Sequence, residues 1–409
     1  MFAPACLLNF ASFMVESAKT FQAHLRRSLP NTIRHRVVGL PHSFSTSTAD
    51  IASSKGWKFI PLNPSRPFRN LGKVKGDTRS VEGYRKYCPP DSSQWATFVV
   101  EIPQGCVYSK RGYVFDQSGC LLSDICNLPP SGSHHDNPIF RKEIVATKRI
   151  SAKGKIAVLA TTGTDIYYHA LIDLVPRIGL LIDAGYKLDQ LDGIVIPKRR
   201  PAALDEILRK LDIPSHKLIE SARSTLIEAE CLVVPSLAHE RMRPSYEASQ
   251  FLQNAVRPLL LEDQELPNPT SADRIYIKRR GRRRILNEDV VEPVIQRYGF
   301  TTVIAENLTF SQQVSLFKNS KFVIGVHGAG LANITFGEPD CHVFEIAPSD
   351  FDRFCYWDLA QALGQKLTRI PAIEVESGKR SVKRKASRRN LNVSPDVLDS
   401  ILTEQMGKA

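Results

Sequence analysis

A glycine-rich turn inside an apolar segment is the feature that most constrains the fold of this chain. Residues 322–336 have the sequence Phe-Val-Ile-Gly-Val-His-Gly-Ala-Gly-Leu-Ala-Asn-Ile-Thr-Phe. The apolar run predicts a buried strand, the glycines allow a tight turn, and residues 331–336 can begin a helix. Unsatisfied N–H groups at a helix start favour an anion, so the segment predicts a phosphate-binding turn with His327 beside it.

The spacing of these glycines is not that of a generic nucleotide motif. It matches neither G-x-G-x-x-G nor the P-loop, because no Lys-Ser/Thr pair follows Gly330. On local grounds the alternative is an ordinary α/β turn with a histidine that packs inside the fold. The rest of the chain has to decide between them.

Length and composition set broad limits. With 409 residues the chain exceeds one ordinary core, which predicts two α/β lobes and tails. A net charge of +13 predicts an anionic partner: nucleic acid, an acidic membrane or a phosphorylated substrate. Eight cysteines without a C-x-x-C pair or metal spacing predict reduced thiols and no metal site. No segment has the ~18 consecutive apolar residues of a membrane span, so we predict a cytoplasmic location.

The amino-terminal region predicts a disordered leader over residues 1–55. Residues 19–48 are basic, rich in Ser and Thr, and contain no acid, which is typical of a transit peptide or of a disordered extension. We favour the extension. A glycosylation sequon at Asn333 lies within the glycine-turn segment, where a glycan would block any site, and this favours a compartment without glycosylation.

Hydrophobic periodicity divides the remainder. Short alternating runs predict a β-rich accessory region over residues 56–150. Alternating strand and helix patterns then predict two Rossmann-like lobes, over residues 151–265 and 272–376. A basic tail and a terminal helix follow over residues 377–409. The expected strands of the lobes are 156–159, 193–196, 231–234, 274–278, 301–304, 321–325, 342–346 and 366–370. The expected helices are 166–184, 201–211, 244–261, 288–298, 310–318, 353–364 and 395–405. Two such lobes imply a cleft beyond the carboxyl ends of their strands.

Three polar constellations carry candidate chemistry. His169, Asp173 and Arg177 follow one another at four-residue intervals on the polar side of helix 166–184, where a base with an orienting carboxylate and a solvated ion pair are the alternatives. Pro176 in that helix predicts a kink. Seven cations lie within residues 274–284, an arginine-rich run suited to phosphate oxygens or simply a solvated face. Glu345 interrupts an apolar strand, and either a ribose or a buried salt bridge would partner it.

Together these residues resemble the glycosyltransferase 61 family. The matching motifs, in order, are Tyr168-His169 with Asp173 and Pro176-Arg177, then Tyr276-Ile-x-Arg279-Arg280 with Arg284 and Asn287-Glu288, then Gly299-Phe300, Val326-His-Gly-Ala-Gly-Leu-Ala-Asn333 and Glu345-Ile-x-Pro348. The resemblance covers about residues 155–375 and implies an α/β GT-B-like fold with an interdomain cleft and inverting transfer from a nucleotide sugar to a glycan or polysaccharide acceptor. Lys278 stands where many members have Ser. The absence of the membrane anchor of Golgi members puts that location in doubt and favours a bacterial-type enzyme of polysaccharide synthesis.

The roles implied by this reading are specific. His169 is the candidate general base and Asp173 orients it, while His327 is the rival base or a diphosphate ligand. Glu345 is expected to hold ribose, and the expected substrate-binding set also contains Arg279, Arg280, Arg284, Gly328, Gly330, Leu331, Asn333 and Arg177. No cofactor and no metal are expected, because fixed cations and the helix start bear the leaving-group charge.

Alternatives stay open at this point. Asp350-Phe-Asp352 is a metal-type pattern, which we interpret as a helix cap. A non-catalytic basic module that binds nucleic acid or acidic membrane is the rival class, supported by seven cations in residues 379–389, and a GT-B-like pyruvyl transferase is the rival within enzymes. The favoured partners are a nucleotide sugar and a glycan, with peripheral membrane contact through the tail and no nucleic acid.

Overall fold

Two large β-sheets with helices packed against them form a mixed α/β architecture. The computed structural model describes residues 35–36, 39–63, 96–126, 138–141, 146–240, 243–261, 272–349, 351, 353–375 and 389–407. Within these residues, one sheet has ten strands, the other has six, and a small hairpin pairs His239–Glu240 with Arg243–Pro244.

The first sheet is built around the long strand Thr225–Pro235. On one side this strand pairs in parallel with Lys148–Val158, which is followed by the parallel strands Gly193–Pro197 and Leu218–Ser221. On the other side it pairs antiparallel with two strands of the region expected to be accessory. The first sheet therefore extends across residue 150, where the sequence patterns placed the boundary between the accessory region and the first lobe. Its remaining strands are Ser43–Ser45, Phe59–Pro61, Phe98–Pro103, Cys106–Tyr108, Tyr113–Phe115 and Cys120–Leu122.

The expected leader is wrong for its last residues. Ser43–Ser45 pairs in parallel with Cys120–Leu122, and a helix spans Thr48–Lys55. The Ser47 side chain accepts the Asp50 N–H at the start of this helix, and Gly56 ends it with the left-handed conformation that glycine tolerates. Ala52 lies in the core of the first sheet. The basic, Ser-rich composition of the segment obscured these two cap signals.

The second sheet carries the glycine turn. Its strands, in spatial order, are Thr301–Val303, Arg274–Ile277, Phe322–Val326, His342–Pro348, Lys366–Val375 and Asn390–Asn392. All pairs are parallel except the last. Because parallel strands end at the same edge, the arginine-rich run after Ile277 and the glycine turn after Val326 emerge side by side.

The helices lie close to their expected positions. They span Pro138–Arg141, Tyr167–His169, Val175–Asp183, Ala202–Lys210, Tyr246–Phe251, Arg257–Leu261, Glu288–Arg297, Phe310–Asn319, Cys355–Leu363 and Pro395–Met406, with π-helical turns at Ala170–Leu174 and Leu252–Val256. Short 3-10 helices occupy Ser123–Ile125, Leu188–Gln190, Ser215–Lys217, Ala305–Asn307 and Ala329–Phe336. The terminal helix packs on the second sheet through Leu398 and Leu402, so it is part of that half.

One hydrophobic core joins the two halves. Leu171 and Ile194 from the first half share a buried cluster with Val323 and Phe336 from the second. The Gln253 amide and the Arg257 guanidinium, on the helical stretch 246–261, donate to backbone carbonyls of Gly337 and Phe336 at 2.8 and 3.1 Å. This packing holds the carboxyl ends of the two sets of parallel strands in a fixed relation.

The state of the cysteines and the length of the helices can be compared with the expectations from composition in the described part of the chain. The six cysteines found there are free thiols, as predicted, and burial raises the pKa of Cys126 to about 12. None of the helices described is both long and apolar enough to cross a bilayer. The interlobe residues 262–271 and most of the basic tail, residues 376–388, lie outside the described residues.

Candidate active site

The glycine turn, residues 327–330, connects a buried strand to a short helix. Strand Phe322–Val326 is followed by His327, Gly328 is extended, and a 3-10 helix runs over Ala329–Phe336. The first N–H groups of such a helix have no partner within it, so they are available to an anion. Tyr356 Oη donates to the Gly328 carbonyl at 2.5 Å and fixes the turn from the neighbouring helix.

Two arginines from the arginine loop, residues 278–284, converge on this turn. Arg279 Nη1 donates to the His327 carbonyl at 3.3 Å, and Arg283 Nη1 donates to the same oxygen at 2.5 Å. Arg283 has a φ of 64°, and its guanidinium lies 5.6 Å from the centre of the Phe351 ring. Both arginines are half-buried, whereas Arg280 and Arg284 are exposed. The loop thus places two fixed cations beside the free amides of the turn.

Glu345 does not face a ligand as a ribose-binding carboxylate would. It is fully buried; one oxygen accepts from His327 Nδ1, and the other accepts from Arg369 Nε and Nη2 at 3.0 and 2.9 Å. Arg369 is itself fully buried and also donates to two backbone carbonyls near residue 351. The buried salt bridge, the alternative weighed from the sequence, is therefore the arrangement present.

The charges of this triad follow from its surroundings. Burial opposes ionisation of Glu345, but the Arg369 guanidinium and then His327 outweigh it and lower the pKa of Glu345 to about 2. Burial lowers the pKa of His327 below its ordinary value, and Arg283 and Arg369 lower it further against the opposing effect of Glu345. His327 is therefore a neutral imidazole whose Nδ1–H donates to Glu345, which fixes its lone pair on Nε2.

His169 and Asp173 form a second dyad, on the first half of the molecule. His169 Nδ1 lies 2.6 Å from Asp173 Oδ2, and the side chains are 17% and 1% exposed. Burial opposes protonation of His169, but its hydrogen bond and charge interaction with Asp173 raise its pKa overall, with a further contribution from Asp165. The exposed face of a histidine held in this way suits a general base, because its partner stabilises the imidazolium that forms.

Local backbone features position this histidine. Gly163 has a φ of 91°, and a Cβ there would lie 2.8 Å from the His169 ring, so glycine lets the preceding loop approach the imidazole closely. The π-helical turn Ala170–Leu174 precedes Pro176, which stands in the first turn of the helix that follows. The predicted kink takes this form, and π-bulges are frequent at functional sites.

Arg177 is not on the polar stripe with His169 and Asp173. It is 1% exposed, its Nη1 donates to the carbonyls of Leu159 and Ala160 at 3.1 and 3.2 Å, and its Nη2 donates to Pro235 at 2.5 Å. The extra residue per turn in the π-helix rotates the following positions away from the stripe. Arg177 therefore clamps two strand ends instead of facing a substrate.

Leu331 and Asn333 also point inward. Leu331 packs under Gly325, and Asn333, 1% exposed, accepts from Tyr167 Oη and donates to Gln313 at 2.8 Å. These side chains tie the 3-10 helix to the helix that bears His169. The Leu331 amide itself donates to the Gly328 carbonyl at 2.9 Å, so contact with a ligand is left to the turn before it.

A row of aromatic rings connects His169 to His327. The ring centroids of His169 and Tyr168 are 5.3 Å apart, those of Tyr168 and Tyr356 are 5.6 Å apart, and those of Tyr356 and His327 are 4.9 Å apart. All successive pairs are steeply tilted, the arrangement that aromatic rings prefer. Two buried tyrosine rings therefore link the His169–Asp173 dyad to the glycine turn across the junction of the halves.

Comparison with known proteins supports the resemblance over part of the chain. The glycosyltransferase 61 family profile matches residues 167–344, a range that contains both histidines, the arginine loop and the glycine turn. The match covers 178 of the 409 residues of the chain. The resemblance drawn from the motifs is confirmed over these residues.

A curated relative agrees over part of this domain. The EGF domain-specific O-linked N-acetylglucosamine transferase of Drosophila melanogaster is 34% identical over 93 residues, which are 22% of this chain and 18% of that protein. The chain thus matches less than a fifth of that relative's length.

The roles of several residues near the site could not be recognised from the sequence. Arg283 is one of seven cations in residues 274–284, and only its contact with the His327 carbonyl distinguishes it from the exposed members of the run. Tyr168 belongs to a matching motif but was given no role, while Tyr356 and Arg369 lie on other elements and no spacing relates them to the glycines. A cation at Arg369, in the strand beside Glu345, was the one available signal for the buried salt bridge.

Other predictions near the site have plain outcomes. Lys278 turns away from the site, to Glu292 and Glu288 at 2.8 and 3.2 Å, so the departure from the family's Ser adds no cation there. Asn287 precedes its helix as predicted, but its side chain bonds to Val393 rather than capping. Asp350 and Asp352 lie outside the described residues, among which no three His, Cys, Asp or Glu side chains cluster as metal ligands.

Proposed function

We propose that this protein is an inverting glycosyltransferase of GT-B type that transfers a sugar from a nucleotide-sugar donor to a hydroxyl of a glycan acceptor. The observation that carries the proposal is the convergence of Arg279 and Arg283 on the glycine turn, across the aromatic row from the His169–Asp173 dyad. One side of the site is suited to a departing diphosphate, and the other to removal of a proton. These are the two requirements of a single-displacement transfer.

The donor side is electrostatic. The diphosphate would lie against the amides of the glycine turn and the guanidinium groups of Arg279 and Arg283. As the bond from the anomeric carbon to the diphosphate oxygen breaks, negative charge grows on that oxygen, and cations already fixed in a partly buried site stabilise it. Glu345 and Arg369 act behind this surface by fixing the orientation of His327, so we assign them a positioning role.

The acceptor side uses His169. With Nδ1–H donating to Asp173, the lone pair on Nε2 takes the proton of the acceptor hydroxyl as its oxygen attacks the anomeric carbon. Attack from the face opposite the departing diphosphate inverts the anomeric configuration. Asp173 stabilises the resulting imidazolium, consistent with the raised pKa of His169.

The identity of the donor sugar is a matter for experiment. Because the curated relative is an N-acetylglucosamine transferase by name, a nucleotide-linked N-acetylglucosamine is the first donor to test. We further propose that transfer needs no added metal and takes place in the cytoplasm, with the basic tail available for peripheral membrane contact.

Donor binding followed by turnover tests the proposal. A panel of nucleotide sugars should contain one that raises the melting temperature of the full chain, because a ligand of the native state stabilises it. Arg279→Ala should remove that shift, whereas Lys318→Ala, an exposed cation before strand Phe322–Val326, should retain it. His169→Ala should keep the shift but lose transfer by about 10²–10⁴-fold. A full panel without any shift, or an Arg279→Ala variant that binds normally, would refute the assignment.

A further inference from the structure

A basic depression lies beside the proposed acceptor side and has no role in the chemistry above. It has a volume of about 570 Å³ and is lined by Lys110, Lys198, Arg199, Arg200, Asp205, Glu220, Ser221, Ala222 and Arg223. Five of these residues are cations and two are carboxylates, so the lining has an excess of positive charge. We name these nine residues the basic depression.

Both carboxylates are already used by one cation. Arg200 Nε lies 2.5 Å from Asp205 Oδ1, and Arg200 Nη1 lies 2.9 Å from Glu220 Oε1. Lys198, Arg199 and Arg223 are exposed, and they form no ion pair with any residue that the structure describes. The depression therefore offers three cationic groups whose charge is not neutralised within the described chain.

Its lining also holds a buried polar atom without a partner. Ser221 is fully buried, and its Oγ has no hydrogen-bond partner among the residues described. Buried hydroxyls are normally hydrogen-bonded, so an unpartnered one at a cavity wall indicates a ligand or water contact. Cations together with a hydroxyl donor match the oxygens of an anion.

The topology places this depression at the same edge of the first sheet as the segment that leads to His169. Strands Lys148–Val158, Gly193–Pro197 and Leu218–Ser221 are adjacent and parallel, so the segments that follow them share one edge of the first sheet. The segment after the first leads to His169, and those after the other two form the depression. Lys110 of the depression also pairs with Asp165, whose charge contributes to the raised pKa of His169.

We propose that the basic depression binds an oxyanion carried by the acceptor, so that the preferred acceptor is an anionic glycan with a carboxylate, sulfate or phosphate group. Assigning the oxyanion to the acceptor rests on the function proposed above. The anion would anchor the glycan at the edge of the first sheet while a hydroxyl elsewhere on it reaches His169. Lys198, Arg199 and Arg223 would supply charge-assisted hydrogen bonds, and Ser221 a neutral one.

Calorimetric titration of the full chain with three probes tests this site without turnover. The probes are trigalacturonic acid, its neutral methyl ester, and a sulfated disaccharide. Wild type should bind an anionic probe and not the ester. The double variant Lys198→Gln/Arg199→Gln should weaken that binding by about tenfold, the scale for two partly solvated charge-assisted contacts. The control Lys148→Gln/Lys153→Gln removes two exposed cations earlier on strand Lys148–Val158 and should leave binding unchanged.

The outcomes separate cleanly. Binding of trigalacturonic acid assigns a carboxylate, and binding of the sulfated probe alone assigns a sulfate or phosphate group; either supports the site. Equal binding of the ester, equal weakening by the control, or no binding of either anion overturns it. Nucleotide-sugar hydrolysis, measured in parallel, should be unchanged in Lys198→Gln/Arg199→Gln. If wild type bound the anion but consumed no nucleotide sugar, the proposed function would fail while the anion site remained.

Discussion

Replacement of Glu345 by Gln should be strongly destabilising, because it leaves a buried guanidinium without its counter-charge. Arg369 and Glu345 are both fully buried and joined by two hydrogen bonds of 3.0 and 2.9 Å. Removing one partner of a buried pair costs about 3–5 kcal/mol. The pKa of Glu345, lowered from 4.5 to about 2, corresponds to about 3 kcal/mol of coupling to folding, in agreement.

Thermal unfolding followed by circular dichroism measures this effect. Glu345→Gln should lower the melting temperature by several degrees. The matched control is Glu228→Gln, which removes a carboxylate from a surface pair with Arg149 in which both side chains are 45% exposed, and it should cost at most about 1 kcal/mol. Adding Arg369→Met to Glu345→Gln should recover part of the loss, because the unpaired charge is then removed.

The pH dependence gives an independent check of sign. A carboxyl group with a lowered pKa stabilises the fold fully above its ordinary value of 4.5, and that contribution disappears as the pH falls towards 2. The difference in stability between wild type and Glu345→Gln should therefore be constant at neutral pH and shrink below about pH 4.5. Equal melting temperatures for Glu345→Gln and Glu228→Gln at pH 7 would refute the buried salt bridge as a stabilising contact.

Three further predictions concern activity. The pKa of His169 is raised above 6.5, and a general base must be neutral, so kcat/KM should fall as the pH drops through a value above 6.5. Asp173→Asn should move this acidic limb of the pH profile to lower pH. An acidic limb that does not move would exclude His169 as the titrating base. Gly328→Ala places a Cβ 1.8 Å from Arg279 Nη1, so the KM for the donor should rise about tenfold with little change in melting temperature. The control is Gly330→Ala, which should be tolerated because the nearest atom to the new Cβ is 3.7 Å away. Transfer should survive chelation by EDTA, and a loss restored by Mn²⁺ would show that the arginines do not suffice.

Much of the fold follows from local patterns. The strand at Phe322–Val326 and the helix at Phe310–Asn319 lie within one or two residues of their expected bounds, because each buries an apolar face whose period is visible in the sequence. The sequence patterns placed a boundary between regions at residue 150, whereas the first sheet continues across it. Strand Phe98–Pro103 pairs with residues 231–235, and hydrogen bonding between segments so far apart leaves no local pattern.

The site residues also differ in whether local spacing or distant contacts determine their positions. The His169–Asp173 pair was predictable because a four-residue helical spacing brings two side chains together whatever surrounds them. Arg177 follows the same spacing and yet is buried, because a π-helical turn intervenes. The ribose role for Glu345 failed because Arg369, 24 residues away, occupies its second oxygen.

The sequence by itself determined the resemblance to glycosyltransferase 61, the two sets of parallel strands, the position of the glycine turn and the local His169–Asp173 dyad, since these depend on residue type and short-range spacing. Only the tertiary structure decided which arginines reach the turn, which polar side chains are consumed by internal contacts, and which cations gather in the basic depression. Those outcomes depend on pairing between distant strands and on the free energy of burying charge, and neither is encoded within a short segment.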